Sequence, residues 1–116
     1  MTFSLLLRDP ATQAVGGAVL TAGPCVGGYV LHGAAGVGFV LTQGFSTNVF
    51  YGQDGLCALE NGLAADEVCR SLVMSDPGRE RRQLAVMDWS GRTATHSGTN
   101  NDPWCGHFAR RGLVVA

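Results

Sequence analysis

The stretch from Cys25 to Leu41, CVGGYVLHGAAGVGFVL, decides how the chain folds. It is shorter than the roughly 20 residues a membrane helix needs, and His32 and a scatter of glycines interrupt it. It therefore reads as two strands, Val26 to Leu31 and Gly36 to Thr42, flanking His32-Gly33-Ala34-Ala35. Near-continuous apolar character suits strands covered on both faces, and glycines at Gly36 and Gly38 let another backbone come close.

Working outward, Phe3 to Arg8 and Ala14 to Thr21 read as a hairpin around Asp9-Pro10. Downstream of Asp54 the period becomes helical. Leu56, Leu59 and Leu63 mark one helix; Val68, Cys69, Leu72 and Val73 mark a second, closed by Asp76-Pro77. Strand character returns at Gln83 to Trp89 and, past the Ser90-Gly91 turn, at Arg92 to His96. A polar loop, Gly98 to His107, precedes a last strand at Leu113 to Ala116. This order predicts one layered α+β domain over residues 1–116. Strands apolar on both faces need cover on both sides, and two short helices cover only one. The domain is therefore expected to be incomplete without a partner chain or a C-terminal half.

Composition points the same way. The chain has 116 residues, net charge −1, 46% hydrophobic and 15% charged residues, and 17 glycines. An ordinary globular chain carries about 25% charged residues, so part of this surface is expected to be covered by a second polypeptide, with further oligomerisation. There is no lysine; all eight basic residues are arginines. Such a balance speaks against a nucleic-acid tract and against a basic membrane anchor. Cys25, Cys57, Cys69 and Cys105 are widely spaced and no signal-peptide layout precedes them, which places them as reduced thiols in a cytoplasm.

The residues offer few conventional catalytic patterns. His32, His96 and His107 lack metal-ligand spacing, so no metal and no cofactor is expected. Cys105 and His107 are a conceivable nucleophilic pair, although buried structural thiols are commoner. Asp9 and Asp54 are a turn residue and a helix cap, or else catalytic carboxylates. Thr2 is the loaded position. Removal of Met1 would leave its hydroxyl beside its own α-amine, whose pKa of about 7.7–8.0 suits a general base; the plainer reading is a threonine that starts an edge strand.

The phrases MTFSLLLRDPATQAVGGAV, AAGVGFVLTQGF, GLCALENGLAADEV, DPGRERRQLAVMDWSGRTATHSG and PWCGH occur in order over nearly the whole chain. Together they resemble the bacterial family known as domain of unknown function ten twenty-eight, which is placed among the N-terminal nucleophile (Ntn) hydrolases. The resemblance implies a four-layer αββα sandwich, of which this chain holds the N-terminal portion. It implies a nucleophile at Thr2, with Gln43 (after Thr42), Asn48 and His107 as further catalytic candidates for polarising and positioning. His32, Tyr51 and Trp104 complete the set as substrate-binding candidates. Four features depart from the family pattern: Thr21-Ala22-Gly23 lacks a basic side chain, no lysine is present, Asn101 stands where a cysteine is usual, and Ala64 where a serine is. Members usually continue well past the Trp-x-Gly-His loop. A split gene, a truncation or a precursor cleaved after Ala116 into an α-chain of a heterodimer would each account for that.

The expected activity is hydrolysis of a small amide or cyclic amide through a covalent acyl-enzyme, on Thr2 or on the first residue of a partner chain exposed by autoproteolytic processing. The alternative is a catalytically silent binding or assembly module on the same fold. A metal enzyme built on the histidines is a third, weaker reading.

Overall fold

A computed structural model describes residues 1–116. The elements run β1 (Thr2–Arg8), β2 (Val15–Thr21), α1 (Gly27–Val30), β3 (Leu31–Ala34), β4 (Gly38–Gln43), α2 (Phe50–Glu60), α3 (Ala65–Ser75), a 3-10 turn (Arg79–Arg81), β5 (Gln83–Asp88), β6 (Thr93–Ser97), β7 (Phe108–Arg110) and β8 (Leu113–Val115). They build a mixed α+β fold with two four-stranded antiparallel sheets, ordered β2-β1-β8-β7 and β3-β4-β5-β6.

The first hairpin forms as its sequence predicts, with Thr2 opposite Thr21 and Arg8 opposite Val15. Asp9 is its turn residue. Its carboxylate accepts from the Thr12 hydroxyl (2.6 Å) and the Ala11 N–H (3.0 Å), and these bonds hold its pKa below the ordinary value.

The next segment differs from expectation. Val26 to Leu31 is not a strand: Gly27–Val30 makes one helical turn, with the Val30 N–H donating to the Val26 carbonyl at 3.0 Å. Cys25 just before it is left-handed (φ 57°), and two successive glycines have little preference for a strand. The strand therefore begins at Leu31, His32 lies within β3 rather than in the connection, and the turn falls at Ala35–Val37. Helix α2 likewise starts at Phe50, so Asp54 is an exposed residue inside it and not its cap. The N-terminal turn instead takes Asn48, whose Oδ1 accepts from the Phe50 N–H at 3.2 Å. Leu63 falls in the link to α3, where Glu67 accepts from the Ala64 N–H at 2.8 Å; Ala64 has no hydroxyl to return that bond. Just past the expected polar loop, Phe108–Arg110 adds a strand that was not expected, β7, pairing Phe108 with Val115.

Two apolar clusters divide the interior. Val40, Leu84 and Val86 on one face of the β3–β6 sheet meet Tyr51, Leu59, Val68 and Leu72 from α2 and α3. Leu41, Ala85 and Met87 on its other face meet Leu6 and Val114 of the second sheet. Three layers result: helices, sheet, sheet. On the outer face of the β2-β1-β8-β7 sheet no helix of residues 1–116 packs, and Phe3 (53%), Leu7 (52%) and Leu20 (72%) are exposed there. No helix is long and apolar enough to cross a membrane.

Candidate functional site

At one end of the sandwich the start of β1, the end of β4 and the start of β5 converge on a cavity of about 130 Å³. Thr2, Gln43 and Gln83 line its inner part, and Phe45, Asp102, Trp104 and Cys105 line its mouth. Sheet register explains the floor. Gln43 stands opposite Gln83 and Gln83 opposite Ser97, so three polar side chains share one row and one face of the sheet. That face meets β1, where Ser4 is fully buried.

The row is joined by hydrogen bonds. Ser4 Oγ donates to Gln43 Oε1 (2.7 Å), and Gln43 Nε2 donates to Gln83 Oε1 (2.7 Å). Gln83 Nε2 donates to the Gly106 carbonyl (2.6 Å) and to Ser97 Oγ (3.0 Å), and Ser97 Oγ lies 2.9 Å from His107 Nδ1. A longer bond, 3.5 Å, runs from Gln43 Nε2 to the Thr2 carbonyl. Two buried amides so placed satisfy each other without any charge. Thr2 Oγ1 lies on the same inward side and donates to Thr21 Oγ1 (3.1 Å), whose hydroxyl donates to the Met1 carbonyl (3.1 Å).

The backbone turn that follows Gln43 depends on glycine. Gly44 has φ +122°, and a Cβ there would lie 2.7 Å from the Arg81 carbonyl and 2.9 Å from the Gln83 nitrogen. The mouth is pinned by Asn101, which accepts from the Phe45 N–H (2.9 Å) and donates to the Arg82 (3.0 Å) and Gly98 (2.8 Å) carbonyls. Arg81 stacks over the Phe45 ring, 5.3 Å from its centroid.

Behind the 44–49 loop sits a separate, charged cluster centred on buried Asp76. It accepts from Tyr51 Oη (2.8 Å), Arg82 Nε (2.9 Å), Asn48 Nδ2 (3.2 Å) and the Gly78 N–H (2.7 Å). Burial pushes the carboxyl up, but the bonds from Arg82, Tyr51, Gly78 and Asn48 outweigh it and hold the pKa well below the usual carboxylate range. Burial and the bond to Asp76 raise the Tyr51 phenol.

The candidate residues thus separate into three groups. Thr2, Gln43 and Trp104 line the cavity, with His107 joined to them through Ser97. Asn48 and Tyr51 belong to the Asp76 cluster, and His32 packs its ring against Gly52 of α2. No three His, Cys, Asp or Glu side chains come together as a metal-ligand set. Cys69 is buried, its thiol pushed up to about 11 by that burial, as befits a structural thiol. Gln83, Ser4 and Ser97 were not anticipated as site residues. The signal for Gln83 was its place at the first position of a strand paired to the one ending in Gln43.

The chain matches, over residues 2–116, the family described as Family of unknown function (DUF1028). It belongs to that family. It is also similar to the crystal structure of protein SPO2555 from Silicibacter pomeroyi, likewise described by the DUF1028 family, with TM-score 0.93 and 36% sequence identity over 98% of this chain. This DUF1028 chain spans about half, 52%, of the SPO2555 chain. No curated protein matches it.

Proposed function

We propose that this DUF1028 chain is the N-terminal part of an Ntn-type amide hydrolase, with a four-layer αββα sandwich as the complete fold and Thr2 as nucleophile. The observation that carries the reading is the position of Thr2: first residue of β1, inward-facing, on the wall of a cavity floored by Gln43 and Gln83. Removal of Met1 converts the Thr2 amide nitrogen into a primary amine beside Oγ1. Oγ1 then attacks the substrate carbonyl carbon and its proton passes through that amine to the leaving nitrogen. The C–N bond breaks, an ester forms on Thr2, and water hydrolyses it to free the acid and restore the hydroxyl. Gln43 orients the start of β1 through the Thr2 carbonyl; its amide hydrogens are already engaged, so it is a positioning residue.

The outer face of the β2-β1-β8-β7 sheet would then be covered by further polypeptide, from a C-terminal half or a second chain. The exposed row Phe3, Leu7, Leu20 and Phe108 supports this, as does the length of the SPO2555 chain. The compartment proposed is the cytoplasm.

Binding without turnover is the second reading, favoured by one feature: Thr21-Ala22-Gly23 lacks the basic side chain that the family pattern carries there. Intact-mass spectrometry after treatment with a β-lactone separates the two. One adduct per Met1-free chain, lost in Thr2→Ala, supports the hydrolase; an adduct on a copurifying chain that begins with Thr, Ser or Cys moves the nucleophile there. No adduct on any chain sinks the hydrolase.

A further inference from the structure

The bonded row across the cavity floor has a direction, and a single backbone atom sets it. The Gly106 carbonyl can only accept, so the Gln83 side-chain atom 2.6 Å from it is the amide nitrogen. Gln83 Oε1 must then face Gln43, and the Gln43 atom 2.7 Å away must be its nitrogen, since two carbonyl oxygens share no proton. Gln43 Oε1 therefore turns to Ser4, which donates to it. In the other direction Gln83 Nε2 also donates to Ser97 Oγ. Within the protein that hydroxyl has one further partner, His107 Nδ1 at 2.9 Å, to which it either donates its proton or from which it accepts Nδ1–H. Donation leaves Nδ1 without a proton, and the neutral imidazole then holds its proton on Nε2.

We propose that Ser97, held by Gln83 as a second positioning residue, donates to His107 Nδ1, and that His107, next in the chain to the cavity-lining Gly106, thereby offers an Nε2–H donor toward a carbonyl or carboxylate oxygen of the ligand. His107 does not act as a general base through Nε2. It is exposed, and Nε2 has no partner within the protein. Every amide hydrogen of Gln43 and Gln83 is used inside the row, so the side chain that the row leaves with a free N–H is His107. The donor role rests on the cavity being the ligand site, as read above; the proton placement does not.

The test is long-range proton–nitrogen NMR of ¹⁵N-labelled protein, with any copurifying chain retained. It is run about two pH units above the ordinary imidazole pKa of ~6.5 so that the ring is neutral. His107 is assigned by loss of its signals in His107→Gln. The expected wild-type result is the Nε2–H form over Nδ1–H by about tenfold, the scale of one hydrogen bond. Ser97→Ala should reduce that ratio several-fold. Gln83→Glu should invert it, because a carboxylate makes Ser97 donate inward and accept from Nδ1–H. Unchanged His32 and His96 signals serve as the folding control, and if Gln83→Glu does not fold, Ser97→Ala decides. A predominantly Nδ1–H wild type overturns the proposal, and so does a ratio that Ser97→Ala leaves unmoved. A β-lactone that labels nothing while the tautomer behaves as stated removes the hydrolase reading and leaves the proton placement standing.

Discussion

β5 and β1 are both apolar strands at the centre of their sheets, yet they have different fates. All six residues of β5, Gln83 to Asp88, are buried. In β1 burial alternates: Ser4 and Leu6 are buried, whereas Phe3 and Leu7 are half exposed. Helices cover one face of the β3–β6 sheet and the other sheet covers its second face; the β2-β1-β8-β7 sheet is covered once. An unbroken apolar run thus reports that a strand is fit for burial on both faces, and the neighbouring layers decide whether it is buried.

The largest contrast is predicted for truncations. Leu84→Ala, on the helix side, and Met87→Ala, between the sheets, should each cost about 3 kcal/mol, because both side chains are fully enclosed and leave a cavity. Urea unfolding with an unchanged slope measures this. A cost below ~1 kcal/mol at Met87 would mean that the two sheets are not firmly packed.

Glycines sharpen the same comparison by addition of a methyl group. A Cβ at Gly52 would run into the His32 ring, so Gly52→Ala should cost about 2 kcal/mol by overpacking the contact between α2 and β3. At Gly16, on β2 of the half-covered sheet, a Cβ meets nothing within 4 Å. Gly16→Ala should change stability by less than about 0.5 kcal/mol. Equal effects at the two sites would erase the distinction between the covered and half-covered sheets.

How much of this was legible depended on whether the deciding contact was local. The β1–β2 hairpin, both helices of the αα pair and β5–β6 follow from period and turn residues that lie within a few positions of one another. The turn at Gly27–Val30 was hidden because valines and tyrosine there have strand character, while Cys25 and the paired glycines act through backbone angles. β7 was hidden because three exposed residues carry no period of their own and form only by pairing with β8. For the candidate site, the family resemblance pointed to Thr2 and Gln43, and both line the cavity. Asn48 and Tyr51 carried polar groups that could serve a ligand as well as a buried carboxylate. Only the fold shows that Asp76, read from sequence as a helix terminator, takes both.

Asp76 also lets the comparison be made between two ways of satisfying buried polar groups, charged behind the 44–49 loop and neutral in the Gln43–Gln83 row. Its native pKa lies below the unfolded value, so its stabilisation is fully present above the usual carboxylate pKa of about 4 and is lost as pH falls toward the native value. Wild type should therefore lose stability relative to Asp76→Asn by about 1 kcal/mol per pH unit below pH 4. Gln83→Leu, tested the same way, should lower stability by an amount that does not vary over that range. Parallel pH curves for wild type and Asp76→Asn would show that the carboxylate is not stabilised in its charged form.

The smallest effect is expected on the half-covered sheet, and it discriminates most finely. Leu7→Ser with Leu20→Ser removes two apolar side chains that already lie in water, so the chain alone should change by about 0.5 kcal/mol or less. Hydrophobic-dye fluorescence should fall, since the contiguous apolar surface is reduced. With the polypeptide proposed to cover that face present, the same pair becomes part of a core and should cost several kcal/mol. If the pair costs that much in the chain alone at dilute concentration, the face is already buried by self-association, and sedimentation of the variant as a smaller species than wild type would identify a second copy of the chain as its cover.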